Sequence, residues 1–312
     1  MRVGIVGAGA LGSVFGALLV GAGADVTLIR RNKEQVDLIR EKGLRLEGVS
    51  GDRNISAPIF AEQEDYGQVD LAIVMVKAYD TRGAIPTIEK TVSHTGTVLT
   101  LQNGIGNFET IAEAFPGRVL LGTTTIGALA LGQGRFRHTG FGETHLGEPD
   151  GSITDRAESV GALLEGMGAG GVHVVDNAMG CVWSKLILNA AINAPATLLR
   201  VRNGDLVSTC SGRELVHDVV EECLSVVKSK GIKLIFDDPE AKVIAVCEAT
   251  AGNINSMFQD ILAARPTEID YINAAMVREG EGLGVPTPVN KTLARLVESL
   301  QITAKTRVPD ME

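Results

Sequence analysis

The chain is poor in residues that would staple or anchor it. Only four cysteines occur in 312 residues (Cys181, Cys210, Cys223, Cys247), and none forms a Cys-x-x-Cys pair. That excludes a zinc framework and a dense disulfide scaffold, and it suits a reduced, cytoplasmic protein. Positive charge is also in deficit, since 29 Lys and Arg against 38 Asp and Glu leave −9. No global field exists to hold nucleic acid or an anionic membrane, so neither is an expected partner, and any anionic ligand must be held locally. Spanning length is missing too. Val3 to Ala24 is uncharged and imitates an export signal, but the seven glycines at 4, 7, 9, 12, 16, 21 and 23 make it a poor span. The same residues read better as a βαβ unit. There is no fixed-period repeat, no low-complexity tail and no heptad seam. Because the helical half offers several apolar faces, the oligomeric state is not readable from them, and a homodimer is a guess.

Glycine, by contrast, is plentiful at 37 residues, which points to tight turns and close backbone approaches. At roughly 150 residues per domain the length suggests two domains. Val3 to Val6, Ala10 to Val20 and Val26 to Ile29 read as strand, helix, strand, and Asn32 to Lys42 as a polar helix stopped by Gly43. Asp70 to Val76 is a continuous apolar run of the kind a parallel strand buried on both faces needs; Val98 to Leu101 and Val119 to Leu121 repeat it. The fold class expected is α/β, an N-terminal Rossmann-type doubly wound sheet followed by an all-helical C-terminal domain. Residues 123–147 read as mostly antiparallel strands and turns, before a helix at 155–167 and a strand at 172–175. Helices are expected over 178–199, 212–230, 239–250, 256–265, 267–282 and 288–305. The domains are thus 1–176 and 177–312. The charged run Glu214, His217, Asp218, Glu221, Glu222 reads as a solvated helix face, and no metal site is expected.

Gly7-Ala8-Gly9-Ala10-Leu11-Gly12 sits between the first strand and helix. The first glycine allows the turn, the second lets the backbone approach a pyrophosphate, and the third permits close helix packing. At the end of the second strand, where an NAD site usually carries Asp or Glu, Ile29 is followed by Arg30 and Arg31. A guanidinium can pair with a 2′-phosphate, so NADP (NADPH) is favoured, with Arg31 the principal contact and a solvated turn the alternative for one of the two. Lys77 and Gln102-Asn103-Gly104 follow buried strands, at the carboxyl ends where open α/β sheets bind ligands; a surface lysine and an Asn-Gly turn are the bland readings.

In the second half Lys185, Asn189 and Asn193 are spaced i, i+4, i+8 and fan across only about 80° of a helix. Their segment is otherwise apolar, where such groups are costly unless they line a polar cleft, bind something or form a structural network. Trp183 reads as core, and Pro195 should kink or end the helix. Asn253 to Ser256 and Thr267-Glu268 open helices, and capping alone could explain Asn253, Ser256 and Thr267. None of the five histidines pairs with a carboxylate or cysteine in a recognisable motif, so none receives a catalytic role.

These segments together (GAGALG at 7–12, VKAYDT at 76–81, LQNG at 101–104, Trp183-x-Lys185 with Asn189 and Asn193, Asn203-Gly204, SMFQDILAARPTEIDYIN at 256–273 and GVPTPVN at 284–290) resemble the ketopantoate reductase (2-dehydropantoate 2-reductase) family nearly end to end. The resemblance implies an N-terminal NADP domain, a helical C-terminal domain and an active site in the cleft between them. It implies Lys185 as the catalytic lysine and Glu268 as the carboxylate engaging the substrate hydroxyl. Asn189, Asn193, Asn253 and Ser256 become substrate-holding groups, Lys77 and Asn103 lie near nicotinamide and substrate, and Asn203 lies near the lysine unless it only makes its Asn-Gly turn. Asn255 departs from the family, which often has Ser or Thr there. The activity implied is NADPH-dependent reduction of 2-dehydropantoate to pantoate, towards pantothenate and coenzyme A. The alternatives are a reductase of another 2-oxo acid on the same scaffold, or a non-catalytic NADP-binding sensor. Retention of both Lys185 and Glu268 argues against the sensor.

Overall fold

The computed structural model describes residues 1–303, so positions 304 and 305 of the last expected helix lie outside the described residues. The chain divides into two compact units, Met1–Gln102 with Asn107–Met179, and Asn103–Gly106 with Gly180 onward.

The first unit opens with β1 (Arg2–Val6), α1 (Ala10–Gly21), β2 (Asp25–Arg30) and α2 (Lys33–Lys42). Asn32 Oδ1 accepts from Gln35 N at 2.9 Å to start α2, and Gly43 at φ 80° ends it. There follow β3 (Leu44–Gly48), β4 (Arg53–Ile55), β5 (Ile59–Ala61), β6 (Val69–Val74), α3 (Thr81–Thr91), β7 (Val92–Thr100) and α4 (Asn107–Ala114). The unit closes with β8 (Val119–Thr124), β9 (Gly127–Gly132), β10 (Arg135–Gly140), β11 (Thr144–Gly147), α5 (Asp155–Glu165) and β12 (Val172–Val174).

Eight strands form one sheet in the order β12-β11-β8-β7-β6-β1-β2-β5, parallel except where β11 meets β8. The continuous apolar runs are explained by burial on both faces. Leu71 and Ile73 of β6 join one core cluster with Ile5, Phe15 and Leu28, while Ala72 and Val74 join another with Val6, Ile88 and Ile111. A second sheet, β4-β3-β10-β9, was not foreseen. Of the expected antiparallel strands over 123–147, β9 pairs antiparallel with β10 and β11 with β8, but β10 also pairs parallel with β3. In β3, Leu44 and Leu46 are buried, and the buried carboxylate of Glu47 accepts from Arg135 Nε at 2.8 Å.

The second unit is helical: α6 (Ala178–Leu199, entering it at Gly180), α7 (Asn203–Leu206), α8 (Cys210–Lys230), α9 (Pro239–Ala249), α10 (Ser256–Leu262), α11 (Asn273–Leu283) and α12 (Pro288–Thr303). Pro195, expected to kink or end α6, lies inside it, and the helix runs on to Leu199. Two expectations need correction. The helix expected over 267–282 begins only at Asn273, because Ile269–Tyr271 forms a single 3₁₀ turn after Glu268. Glu222 is not part of a solvated face. Its two oxygens accept from Val289 N at 2.7 Å and from Asn290 N and Nδ2 at 2.9 Å, a carboxylate bound at the start of α12 where the helix dipole favours it. Trp183 is core, 2% exposed. Among the described residues no helix is long and apolar enough to cross a membrane.

Candidate active site

Within the first unit, the turn from β1 to α1 is built by its glycines. Gly7 has φ 95°, a left-handed conformation glycine adopts without cost, and a Cβ there would lie 2.5 Å from Val76 N. A Cβ on Gly12 would lie 2.5 Å from the Gly7 carbonyl oxygen, so α1 could not pack so closely on the turn. Gly9 differs: its Cβ would meet nothing nearer than 3.9 Å, and Gly9 is exposed. Gly7 N and Ala8 N are occupied by Ile29 O at 3.1 and 3.0 Å. Gly9 supplies no side-chain cap to α1, so the first-turn N–H groups of Ala10, Leu11 and Gly12 form the positive end of an uncapped twelve-residue helix. An open backbone at Gly9 before such a helix fits a dinucleotide pyrophosphate.

The two arginines at the end of β2 differ in their surroundings. Arg30 is half-buried, donates to Ala8 O and Gln35 Oε1, and lies 5.7 Å over the Phe136 ring. It braces the glycine turn from behind, and burial pushes its pKa down. Arg31 is 70% exposed and pairs with Asp80 at 2.7 Å, which raises its pKa. Lys77 is half-buried in the loop after β6, where its carbonyl accepts from Asp80 N at 2.8 Å.

In the second unit, Lys185 lies on α6, flanked by buried Trp183, Ser184, Leu186 and Ile187. Its Nζ donates to Asn103 Oδ1 at 2.9 Å, and Asn103 Nδ2 donates to Glu268 Oε2 at 3.4 Å. One amide therefore reads a cation with its oxygen and an anion with its nitrogen, and 82 and 165 residues of sequence are bridged by a single side chain. Burial pushes the Lys185 pKa from 10.5 down to about 8, against the opposing pull of Glu268.

The local chain explains why these groups stay put. Gly104, at φ 81°, lies against Tyr271, and Ile105 N donates to Tyr271 O at 3.1 Å. Tyr271 N donates back to Glu268 O at 3.0 Å, closing the turn that presents Glu268. Upstream, Arg265 N donates to Asp260 O at 2.9 Å and its guanidinium pairs with buried Asp260 at 3.0 Å, while Thr267 N donates to Gln301 Oε1. The distinctive RPTEID segment is thus a turn held at both ends around Glu268, which is itself 6% exposed. Asn273 Nδ2 donates to Ala190 O at 3.1 Å and to Asn290 Oδ1 at 3.0 Å, pinning α6 between Asn189 and Asn193. Sequence reading missed this buried chain, although Asn273 and Asn290 fall inside quoted motifs.

Asn193 is buried and Asn189 half-buried on the helix that carries Lys185. Asn203 begins α7, its N donating to Asn253 O at 3.0 Å and its Nδ2 to Thr250 Oγ1 at 2.9 Å; its buried Oδ1 has no partner. Asn253 and Ser256 are exposed. Neither caps α10. That is done by buried Asn255, whose Oδ1 accepts from Phe258 N at 3.0 Å and Thr197 Oγ1 at 3.3 Å and leaves its Nδ2 without a partner.

A doubly wound parallel sheet with a glycine turn after its first strand, followed along the chain by a helical unit that holds a lysine beside an amide and a carboxylate, is the pattern of a Rossmann-fold oxidoreductase. Comparison with known proteins narrows the class. Residues 3–151 match the family Ketopantoate reductase PanE/ApbA, and residues 177–301 match its C-terminal counterpart. The chain belongs to this family. It is 38% identical over 306 residues to the 2-dehydropantoate 2-reductase of Archaeoglobus fulgidus, covering 96% of this chain and 98% of that one. To the Halobacterium salinarum enzyme of the same name it is 35% identical, covering 96% and 99%. Among solved structures it is similar to a D-mandelate dehydrogenase with NADH and anilino(oxo)acetate (TM-score 0.91, 31% identity, 98% and 100% of the two chains). It is likewise similar to a PanE/ApbA family ketopantoate reductase from Ralstonia eutropha JMP134 (TM-score 0.90, 32% identity, 98% and 100%).

Proposed function

We propose that this protein reduces 2-dehydropantoate to pantoate with NADPH, in the cytoplasm and as a homodimer. Residues 1–176 carry the nucleotide and residues 177–312, joined by Asn103, carry the substrate. The observation that carries the reading is the Lys185–Asn103–Glu268 arrangement. Glycine loops are widespread, whereas a half-buried lysine held by an amide that also engages a carboxylate is a device for meeting charge on an oxygen. The nicotinamide cofactor, when bound, supplies the reducing equivalent. As the ketone carbon is reduced, negative charge builds on the carbonyl oxygen, and the Lys185 ammonium stabilises it and delivers the proton. Glu268 accepts from a substrate hydroxyl, and the amides of Asn189 and Asn193 orient the 2-oxo acid without adding charge.

The D-mandelate dehydrogenase likeness supports a second reading, a reductase of another 2-oxo acid on the same scaffold. Oxidation of NADPH or NADH with a small panel of 2-oxo acids separates the two, and the highest kcat/KM should fall on 2-dehydropantoate with NADPH. The same assay tests the cofactor contact. Arg31 is exposed and paired with Asp80, and as the guanidinium we assign to the 2′-phosphate it gives a test: Arg31→Ala should raise KM for NADPH about ten-fold or more and leave KM for NADH nearly unchanged. Equal changes for both cofactors would remove Arg31 from the site.

A pH profile tests the proton donor. Lys185 must be protonated to give up a proton, and with a pKa near 8 the donor form is lost as pH rises through that value. Reduction should therefore fall about ten-fold per pH unit above about pH 8, while the reverse oxidation, which needs the free amine, should rise across the same range. A reductive rate that is flat up to the ordinary lysine range would mean that burial does not tune this group.

A further inference from the structure

Glu143, His145 and His173 have no role in the site above, yet the first unit brings them together at one edge of its large sheet. β12, the terminal strand, pairs in parallel with β11 so that His173 stands directly opposite His145. Glu143 directly precedes β11 and is exposed, as His173 is, while Thr144 and Leu146 are buried. The imidazole rings stack with centroids 4.8 Å apart and planes 26° from parallel. One donor atom from each of the three residues lies within 4.8 Å of the others.

Two imidazoles and a carboxylate form a donor set that suits zinc and similar divalent transition metals, with a remaining position for water. We propose that Glu143, His145 and His173 bind one such ion and tie the three-residue edge strand β12 to β11. Around a tetrahedral zinc with bonds of about 2.1 Å, donors stand roughly 3.4 Å apart. The set must therefore close by about 1.5 Å, which rotation of the exposed Glu143 and His173 side chains supplies. The backbone beneath is already fixed: Glu143 N donates to Thr125 Oγ1 and Thr125 N to Glu143 O, both at 2.9 Å. The histidines lie 28 residues apart in sequence, so no spacing motif announces the set.

The test uses full-length, tag-free protein. Zinc is titrated in competition with a chromophoric chelator, cobalt(II) is followed through its visible d–d bands, and thermal melting is run with and without zinc. Wild type should bind one ion per chain with a micromolar Kd and gain a few degrees in Tm. His145→Gln and His173→Gln should each weaken binding at least ten-fold and abolish the Tm gain, and Glu143→Gln should weaken it less. Metal-free Tm and reductase activity should match wild type in all three, and because Glu143 and His173 are exposed, at least those two variants report on a folded protein. No stoichiometric binding, or binding unchanged in the variants because the ion sits elsewhere, such as at exposed Cys210, would overturn the site.

Discussion

Lys185→Ala should leave a folded protein that binds NADPH normally but turns over at least about 10²-fold more slowly. The loss falls on kcat because negative charge on the carbonyl oxygen develops mainly in the transition state, where the ammonium acts as both electrostatic partner and proton source. The fold should survive, and the sign of the pKa shift says why. The folded-state value of about 8 lies below the ordinary 10.5, so the native state holds a charge it disfavours, and stability rises as pH climbs from the lower value towards the higher. Removing the ammonium removes that cost. Glu268→Gln separates the two polar partners: the carboxylate raises the Lys185 pKa, so its neutralisation should move the alkaline limb of the reductive profile below about pH 8 as well as weakening substrate binding. Stopped-flow turnover, NADPH fluorescence titration and thermal melts suffice to check this. A Lys185→Ala protein that binds NADPH and turns over near the wild-type rate would assign the proton to another group or to water.

Much of this arrangement is legible in the sequence, and the exceptions share a physical cause. The β1-α1-β2 unit announces itself because an apolar run, a glycine turn and a helical period follow one another without interruption. Helices α8 and α9 were legible from their caps, Gly231 at φ 73° and Asp238 accepting from Ala241 N at 2.9 Å. The second sheet was not, because β3, β4 and β10 are short and carry arginines, and two of these, Arg135 and Arg137 of β10, are answered by Glu47 on β3, a partner nearly ninety residues away in sequence. Local rules also failed at Glu268. Thr267-Glu268 resembles a helix start, but the turn there is held by Asp260, Gln301 and Tyr271, partners that no window around residue 268 contains in full. The arginine pair shows the same limit. Both stand at the right end of β2, and only the fold shows that Arg30 braces Ala8 while Arg31 remains exposed.

The bridging role of Asn103 leads to the second large effect, at a residue that carries no functional group. Gly104→Ala should lower kcat/KM by about 10²-fold with NADPH affinity little changed. Its φ of 81° costs an alanine roughly 1–2 kcal/mol, and the new Cβ would lie 2.3 Å from Tyr271 O and 2.7 Å from Tyr271 Cβ. The oxygen is backbone and cannot swing away, so either the loop lifts or Tyr271 moves. Lifting the loop breaks the Ile105 N to Tyr271 O bond and withdraws Asn103 from Lys185 and Glu268, at about 1.5–3 kcal/mol for a hydrogen bond to a charged group. Moving Tyr271 disturbs the turn it closes onto Glu268 O. Either route loosens the same three side chains. Asn103→Ala is the comparison, because it deletes the bridge without the steric push and should cost about ten-fold or more in kcat while leaving the loop seated. If Gly104→Ala binds NADPH, melts like wild type and keeps wild-type kcat/KM, then the contact with Tyr271 does not hold Asn103 in place, and Lys185 keeps its position without it.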